Sequence, residues 1–289
     1  MGSNIFFSEK TSLSSVRVLG ILVVYYDQYY DQSIAEFKDL LLAISQHAKT
    51  IIVRNNRELQ VRSTDVEVED WDNREGEFGA WNHVLATLSE DEYDWVVFGN
   101  DTFCHHHIWD ADTKIRFLRA ISARNLQTAH AIGYEDFTCQ AMELSGNRIS
   151  SWLSTYLFAL NSLALDSIGW TLDAGDEFLS QVVHPNVDTG ELIDESKYPQ
   201  LGRHVNGWLL RTGGKARWYK AERLNEGNIS KMETKARAIV NELHLSTQLR
   251  ANNVVITNMN DSQMPPFHRS LRCFLAWIRE RISKAYDLQ

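Results

Sequence analysis

The sequence predicts an α/β protein, a mostly parallel sheet flanked by helices, and three observations carry that expectation. Residues 16–26 (V-R-V-L-G-I-L-V-V-Y-Y) form a near-continuous apolar, β-branched run, the pattern of a parallel strand covered on both faces. Two further apolar runs, 50–53 and 95–98, are separated from it by stretches whose apolar residues recur at helical spacing. Strands alternating with amphipathic helices imply βαβ units, right-handed crossovers and a parallel sheet.

The elements follow in order. Residues 1–15 are polar and read as loose, and 27–32 as a polar loop. Ser33 is placed to cap a helix over 33–46, with Ile34, Phe37, Leu41 and Ile44 on one face. The strand 50–53 runs into Arg54-Asn55-Asn56, and 65–68 reads as a short third strand. Asp72 or Asn73 is placed to cap a helix whose apolar stripe is Phe78, Trp81, Val84, Leu85 and Leu88. The strand 95–98 ends on Gly99 and Asn100-Asp101-Thr102. A helix over 115–124, a strand over 127–133 and a strand passing into a helix over 152–163 come next. Residues 177–183 read as a helix, which Pro185 ends. Residues 186–208 read as a polar loop and 231–249 as a helix. Pro265-Pro266 precedes a last helix over 267–286. Its stripe is Phe267, Leu271, Phe274, Ile278 and Ile282, and it carries Arg269, Arg272, Arg279, Arg281 and Lys284. Such a helix suits either docking on the protein or an anionic membrane surface. The βα alternation fades after about residue 135.

Composition narrows the function classes. The chain has 289 residues with 44% apolar and 23% charged side chains, ordinary for a globular protein. Its formal net charge of -9 argues against a general nucleic-acid binder. Cys104, Cys139 and Cys273 are far apart and not in metal spacing, so free thiols in a reducing cytoplasm are expected. Ile5-Phe6-Phe7 is too short for a signal-peptide core, and no apolar run approaches the length of a membrane span.

The residues with chemical promise gather around residues 66–103. Asp101 follows a buried strand at its carboxyl end, where open α/β sheets bind ligands. A carboxylate there can hold a divalent cation that bridges a diphosphate; the plainer account is a strand-ending Asp that caps the next turn. Gly76, Gly79 and Ala80 are small enough for close backbone approach, and Arg74 near a helix N-terminus suits an anion. His105-His106-His107 point alternately if extended, so the three do not chelate one ion. Arg211, Lys215 and Arg217 flank Gly213-Gly214, either as a mobile basic loop or as a solvated turn.

In order and spacing these segments resemble a known family. V-V-Y-Y-D, I-I-V-R-N-N, N-R-E-G-E-F-G-A-W-N and Y-D-W-V-V-F-G-N-D-T look like the nucleotide-sugar-binding half of GT-A (Rossmann-like) glycosyltransferases, most similar to the family 2-like and rhamnan-synthesis-type enzymes of bacterial polysaccharide assembly. The resemblance covers residues 16–103 well and 150–181 loosely. It implies one GT-A-like domain over 1–265, with a nucleotide-sugar half (16–135) and an acceptor half (136–265), followed by the basic helix of 266–289. Tyr25 and Asp27 would lie near the base, with Arg54 and Asn55 bordering the same pocket. Asn73, Arg74 and Gly76 would line the ribose and diphosphate, beside Asn100. Asp101 would contact Mg²⁺ or Mn²⁺ and the diphosphate, with His204 as a late metal ligand. Trp152, Ser154 and Tyr156 would face the acceptor. Asp176 or Glu177, with Asp173 in reserve, would be the base of an inverting transfer. This sequence departs from the family in having one Asp where a D-x-D element is usual.

The implied activity moves a sugar from a UDP- or TDP-sugar donor to a hydroxyl of a glycan or lipid-linked glycan, such as an O-antigen, lipopolysaccharide or capsule. It would take place in the cytoplasm or on the inner face of the membrane, without nucleic acid. Two alternatives stand beside it. One is a catalytically silent subunit that binds glycan or scaffolds a complex. The other is a nucleotidyltransferase, which needs a glycine- and base-rich loop after the first strand, where this chain has Y-Y-D-Q-Y-Y over 25–30.

Overall fold

A computed structural model describes residues 16–62, 66–89, 92–210 and 218–259. The basic helix expected over 267–286 and the basic segment Arg211, Lys215 and Arg217 lie outside the described residues. Among those described, no helix is long and apolar enough to cross a membrane.

The first half alternates strand and helix as the apolar pattern requires. Strand β1 (Val18–Val24) is buried along its whole length. A 3-10 turn (Asp27–Tyr29) leads into α1 (Tyr30–Ile44). Strands β2 (Lys49–Arg54) and β3 (Glu67–Asp70), helix α2 (Gly76–Leu85), strand β4 (Trp95–Asn100) and helix α3 (Ala111–Ser122) follow. The second half begins with two long strands, β5 (His130–Leu144) and β6 (Asn147–Asn161). After them come α4 (Ser162–Ser167), α5 (Asp176–Val182), α6 (Pro199–Leu209), α7 (Ile229–Ala251) and β7 (Val255–Asn258).

The seven strands form one sheet in the order β3-β2-β1-β4-β6-β5-β7. β1 pairs in parallel with β2 and β4, and β2 with β3. β6 is antiparallel to both β4 and β5, and β7 is parallel to β5. The result is an α/β, Rossmann-like, mostly parallel sheet with helices on both faces. On one face Phe78, Trp81, Val84 and Leu85 of α2 pack with Leu19, Ile21, Val23, Val96 and Phe98, joined by Leu245 and Leu249 of α7. On the other, Ile34, Phe37 and Leu41 of α1 and Phe117 and Ile121 of α3 pack with Val18, Leu22, Val24 and Val97. A third cluster joins α5, α6 and the middle of α7 to the far end of the β5-β6 hairpin.

Several local features differ from the sequence reading, each for a stated reason. α1 starts at Tyr30 because the 3-10 turn feeds it directly; Ser33 is inside the helix and its hydroxyl donates to the Tyr30 carbonyl at 3.2 Å. α2 starts at Gly76, and neither Asp72 nor Asn73 caps it: Asp72 closes a turn on the Arg74 amide at 3.1 Å. α3 begins at Ala111, where Asp110 accepts from the Thr113 amide at 2.8 Å. The strand read over 127–133 continues to Leu144 because Ser145 (φ 51°) and Gly146 (φ 73°) make a tight hairpin turn. Residues 186–208 are not all loop. Pro199 opens α6, whose Leu201, Val205 and Leu209 are buried.

Gly20 sets how closely α1 approaches the sheet. A Cβ there would stand 2.2 Å from Leu41 Cδ1 and 2.7 Å from Phe37 Cε1. Gly20→Ala is therefore expected to destabilise the fold by about 2 kcal/mol through overpacking, read as a lowered urea midpoint. An unchanged midpoint would mean that α1 can lift off β1 at no cost.

Candidate functional site

A cavity of about 500 Å³ opens at the carboxyl ends of β1, β2 and β4, the place where an open parallel sheet leaves a crevice. Its floor is built by backbone geometry. β1 hands over to Tyr25 and Tyr26, β2 to Asn55, and β4 to Asn100, Asp101 and Thr102. Gly76, at φ 61°, turns the chain from Asn73 into α2 in a left-handed conformation that favours glycine. Asn73 itself sits at φ 60°, a left-handed conformation that Asn tolerates better than most residues. The opposite wall is the face of α7 bearing Lys231, Thr234, Lys235 and Ala238, together with Trp218, Tyr219 and Lys220 from the segment before it.

Asp101 is 2% exposed and holds the floor together. Its Oδ2 accepts the amide of Tyr25 at 2.7 Å and that of Tyr26 at 2.6 Å. Burial pushes its carboxyl up to about 6; the two amide bonds pull the other way, and nearby Glu77 adds to the rise. Asn55 is 4% exposed, and its Nδ2 donates to Asn73 Oδ1 at 2.8 Å. Its Oδ1 is buried with no hydrogen-bond partner. Asn55 lines the cavity, and a buried acceptor left unpaired beside it is uncommon. Aromatic rings crowd one end: Tyr26 lies edge-on to Tyr25 and Tyr29, and His106 edge-on to Tyr219.

A second cavity of about 380 Å³ adjoins the first, and Thr234 lines both. Arg74, Glu75 and Asp176 lie on one side of it, and Glu233, Arg237 and Asn241 of α7 on the other. Asp176 Oδ1 is 2.6 Å from the Arg237 guanidinium. Burial, with Asp173 and Asp176 nearby, raises the Glu75 carboxyl above its ordinary value.

The structure thus gathers Tyr25, Asn55, Asn73, Gly76, Asn100 and Asp101 around one cavity and separates the rest. Arg54 is bound by Asp70 through two short bonds, of 2.5 and 2.7 Å, at the sheet edge. Asp27 pairs with Arg62 at 3.0 Å. Arg74 and Asp176 line the adjoining cavity, and Glu177 and Asp173 line neither; Asp173 instead accepts from the Asn82 side chain at 2.7 Å. Trp152, Ser154 and Tyr156 also line neither cavity. The Ser154 hydroxyl donates to Asp136, and Tyr156 is stacked on His107. His204 is edge-on to Trp152 in the third core cluster, where burial lowers its pKa. Reading the sequence alone missed Lys220, Lys231, Lys235, Glu75 and Glu77; the signal for Lys231 and Lys235 was their spacing of four on the 231–249 helix, and Lys220 had none.

The donors present do not make an all-protein cage for Mg²⁺ or Mn²⁺. Two carboxylates line the cavity, Asp101 and Glu77, and one oxygen of Asp101 is already taken by two amides. The flanking Asn100 and Thr102 are closed on each other, the Thr102 hydroxyl donating to Asn100 Oδ1 at 2.6 Å. His106 contacts the Tyr29 hydroxyl at 3.1 Å, and His204 is elsewhere. Among the described residues no three His, Cys, Asp or Glu side chains form a cation-binding group.

No protein-family model and no curated protein sequence matches this chain. Among solved structures, one similar chain is a mannosyltransferase from Pyrobaculum calidifontis, described in complex with GDP-Man and Mn²⁺. The two are 11% identical over 90% of this chain and 79% of that one, with a TM-score of 0.35. Another is the 2-C-methyl-D-erythritol 4-phosphate cytidylyltransferase of Francisella tularensis, 13% identical over 54% of this chain and 77% of that one, with a TM-score of 0.34.

Proposed function

We propose that the chain is a glycosyltransferase that takes a nucleoside diphosphate sugar in the cavity above Asp101 and transfers the sugar to a hydroxyl of a glycan. One observation carries this reading. A single cavity at the carboxyl ends of the parallel strands combines polar strand-end side chains, Asn55, Asn73 and Asn100, with aromatic rings at one end and lysines on the opposite wall. A ligand that suits all three has a flat ring with N–H donors and several negative charges, which describes a nucleoside diphosphate.

The adjoining cavity suits the acceptor, because it meets the first at Thr234 and is edged by carboxylates. In the proposed transfer the acceptor hydroxyl loses its proton to Asp176 as its oxygen bonds to the anomeric carbon. The bond from that carbon to the diphosphate oxygen breaks, and the nucleoside diphosphate leaves. Asp176 is favoured over Glu177 because it lines a cavity and Glu177 does not. The bacterial surface glycan, the UDP- or TDP-linked donor and an association with the inner membrane remain part of this proposal through the family resemblance. A divalent cation brought in with the donor's phosphates is the alternative source of positive charge.

Incubation with UDP-, GDP- and TDP-sugars, followed by assay of the released nucleotide, tests the reading. Release of nucleoside diphosphate, accelerated by acceptor glycans, is the expected result. Pyrophosphate release from a nucleoside triphosphate and a sugar phosphate would instead establish a nucleotidyltransferase. Binding of glycan with no turnover of any donor would establish a silent subunit.

A further inference from the structure

The lysines facing Asp101 have a geometry of their own. Lys220 Nζ stands 5.5 Å above the Tyr26 ring and 5.2 Å above the Tyr219 ring, and its bond to Tyr219 keeps it firmly protonated. Lys235 is on the α7 face that closes the cavity, and its charge acts on the Asp101 carboxyl from across the space. Lys231, one turn earlier on the same face, is 2.8 Å from Glu222 and 5.5 Å from the Trp218 ring. Lys231 therefore ties the segment carrying Lys220 to α7, while Lys220 and Lys235 line the cavity from two sides. Each ammonium offers three donors and no acceptor, which suits phosphate oxygens and repels a metal ion. The same region offers a cation two carboxylates, Glu77 and Asp101, and one oxygen of Asp101 is occupied by backbone amides.

We propose that Lys220 and Lys235 hold the diphosphate of the nucleotide and offset its charge as it leaves, in place of a divalent cation. The proposal rests on the reading of this cavity as a nucleotide-sugar site and goes further by naming what neutralises the leaving group. Stabilisation of departing phosphate by fixed ammonium groups needs no rearrangement at the moment of transfer.

Calorimetric titration of the full chain with UDP, GDP and TDP, in EDTA and then in Mn²⁺, tests it. The expected result is that at least one of these nucleotides binds in EDTA, with a Kd within about threefold of its value in Mn²⁺. Lys235→Gln and Lys220→Gln should each weaken that binding about tenfold or more. Lys235→Arg should restore most of it. Thermal midpoints matching the parent chain would exclude misfolding as the cause. Nucleotide binding that requires Mn²⁺ overturns the lysine assignment and leaves the nucleotide-sugar reading standing. Unchanged affinity in both glutamine variants also overturns the assignment. Failure of every nucleotide to bind, with or without Mn²⁺, overturns the reading of the cavity itself.

Discussion

Asp101→Ala is expected to lower stability by about 2–4 kcal/mol and to abolish nucleotide binding, whereas Asp101→Asn should keep most of both. The alanine leaves the amides of Tyr25 and Tyr26 without the carboxylate that now accepts them at 2.7 and 2.6 Å. Leaving a buried donor unpaired costs on the order of 1–3 kcal/mol, and these two amides hold the loop that floors the cavity. An asparagine carbonyl can take the place of Oδ2 and keep the loop in position. What it loses is the charge, which the lysine wall does not need and a bridging cation would. Urea denaturation of the three proteins, with calorimetric titration of UDP, GDP and TDP, decides the matter. If the asparagine variant holds its fold but loses nucleotide binding as completely as the alanine, the carboxylate acts by its charge and not by shaping the loop.

The division between what could be read from the sequence and what could not follows from range. β1 was plain because an unbroken apolar run has few other destinations than a strand covered on both sides. The helices that cover the sheet were legible from their stripes, and the strand end at Asn100-Asp101-Thr102 located the cavity floor. The lysine wall was not legible. Lys235 is far from Asp101 in the chain, and periodicity along a helix states which residues share a face but not what that face meets. Asp176 shows the same limit in reverse. Its place at the start of α5 was apparent, yet its ion pair with Arg237 of α7 depends on the packing of two distant helices. The β5-β6 hairpin has a local signal in its Ser145-Gly146 pair, both residues at positive φ.

Glu242→Gln is expected to raise stability at pH 8 by about 2–3 kcal/mol and to leave it nearly unchanged at pH 5. Glu242 lies one turn beyond Ala238 on α7 and accepts both the amide and the hydroxyl of Thr155, at 2.8 and 2.7 Å. Burial pushes its carboxyl up to about 7 from an ordinary 4.5; the bonds from Thr155 oppose that shift, and Asp136 and Glu77 reinforce it. The folded chain therefore holds a proton that the unfolded chain releases between those two values. The stability from this group is present in full below about 4.5 and is lost as pH rises through about 7. A shift of this size is worth about 3 kcal/mol at most. Glutamine is neutral, nearly the same shape, and can still accept from Thr155, so it removes the loss at high pH. Urea titrations of the parent and the variant at pH 5 and 8 measure the difference. An equal gain at both values would mean that packing, and not the charge, separates the two side chains.

The cavity has one wall from the first strands and the other from α7, and β7 completes the sheet only after α7 has turned back along β5. During synthesis the floor with Asp101 and Asn55 can be in place while the lysine wall is still untranslated. On the proposed reading, nucleotide binding is acquired only once α7 has been made, and a bound nucleotide would act as a clasp between early and late segments. By mass action such a ligand would protect the finished protein from opening and do nothing for a chain released before α7.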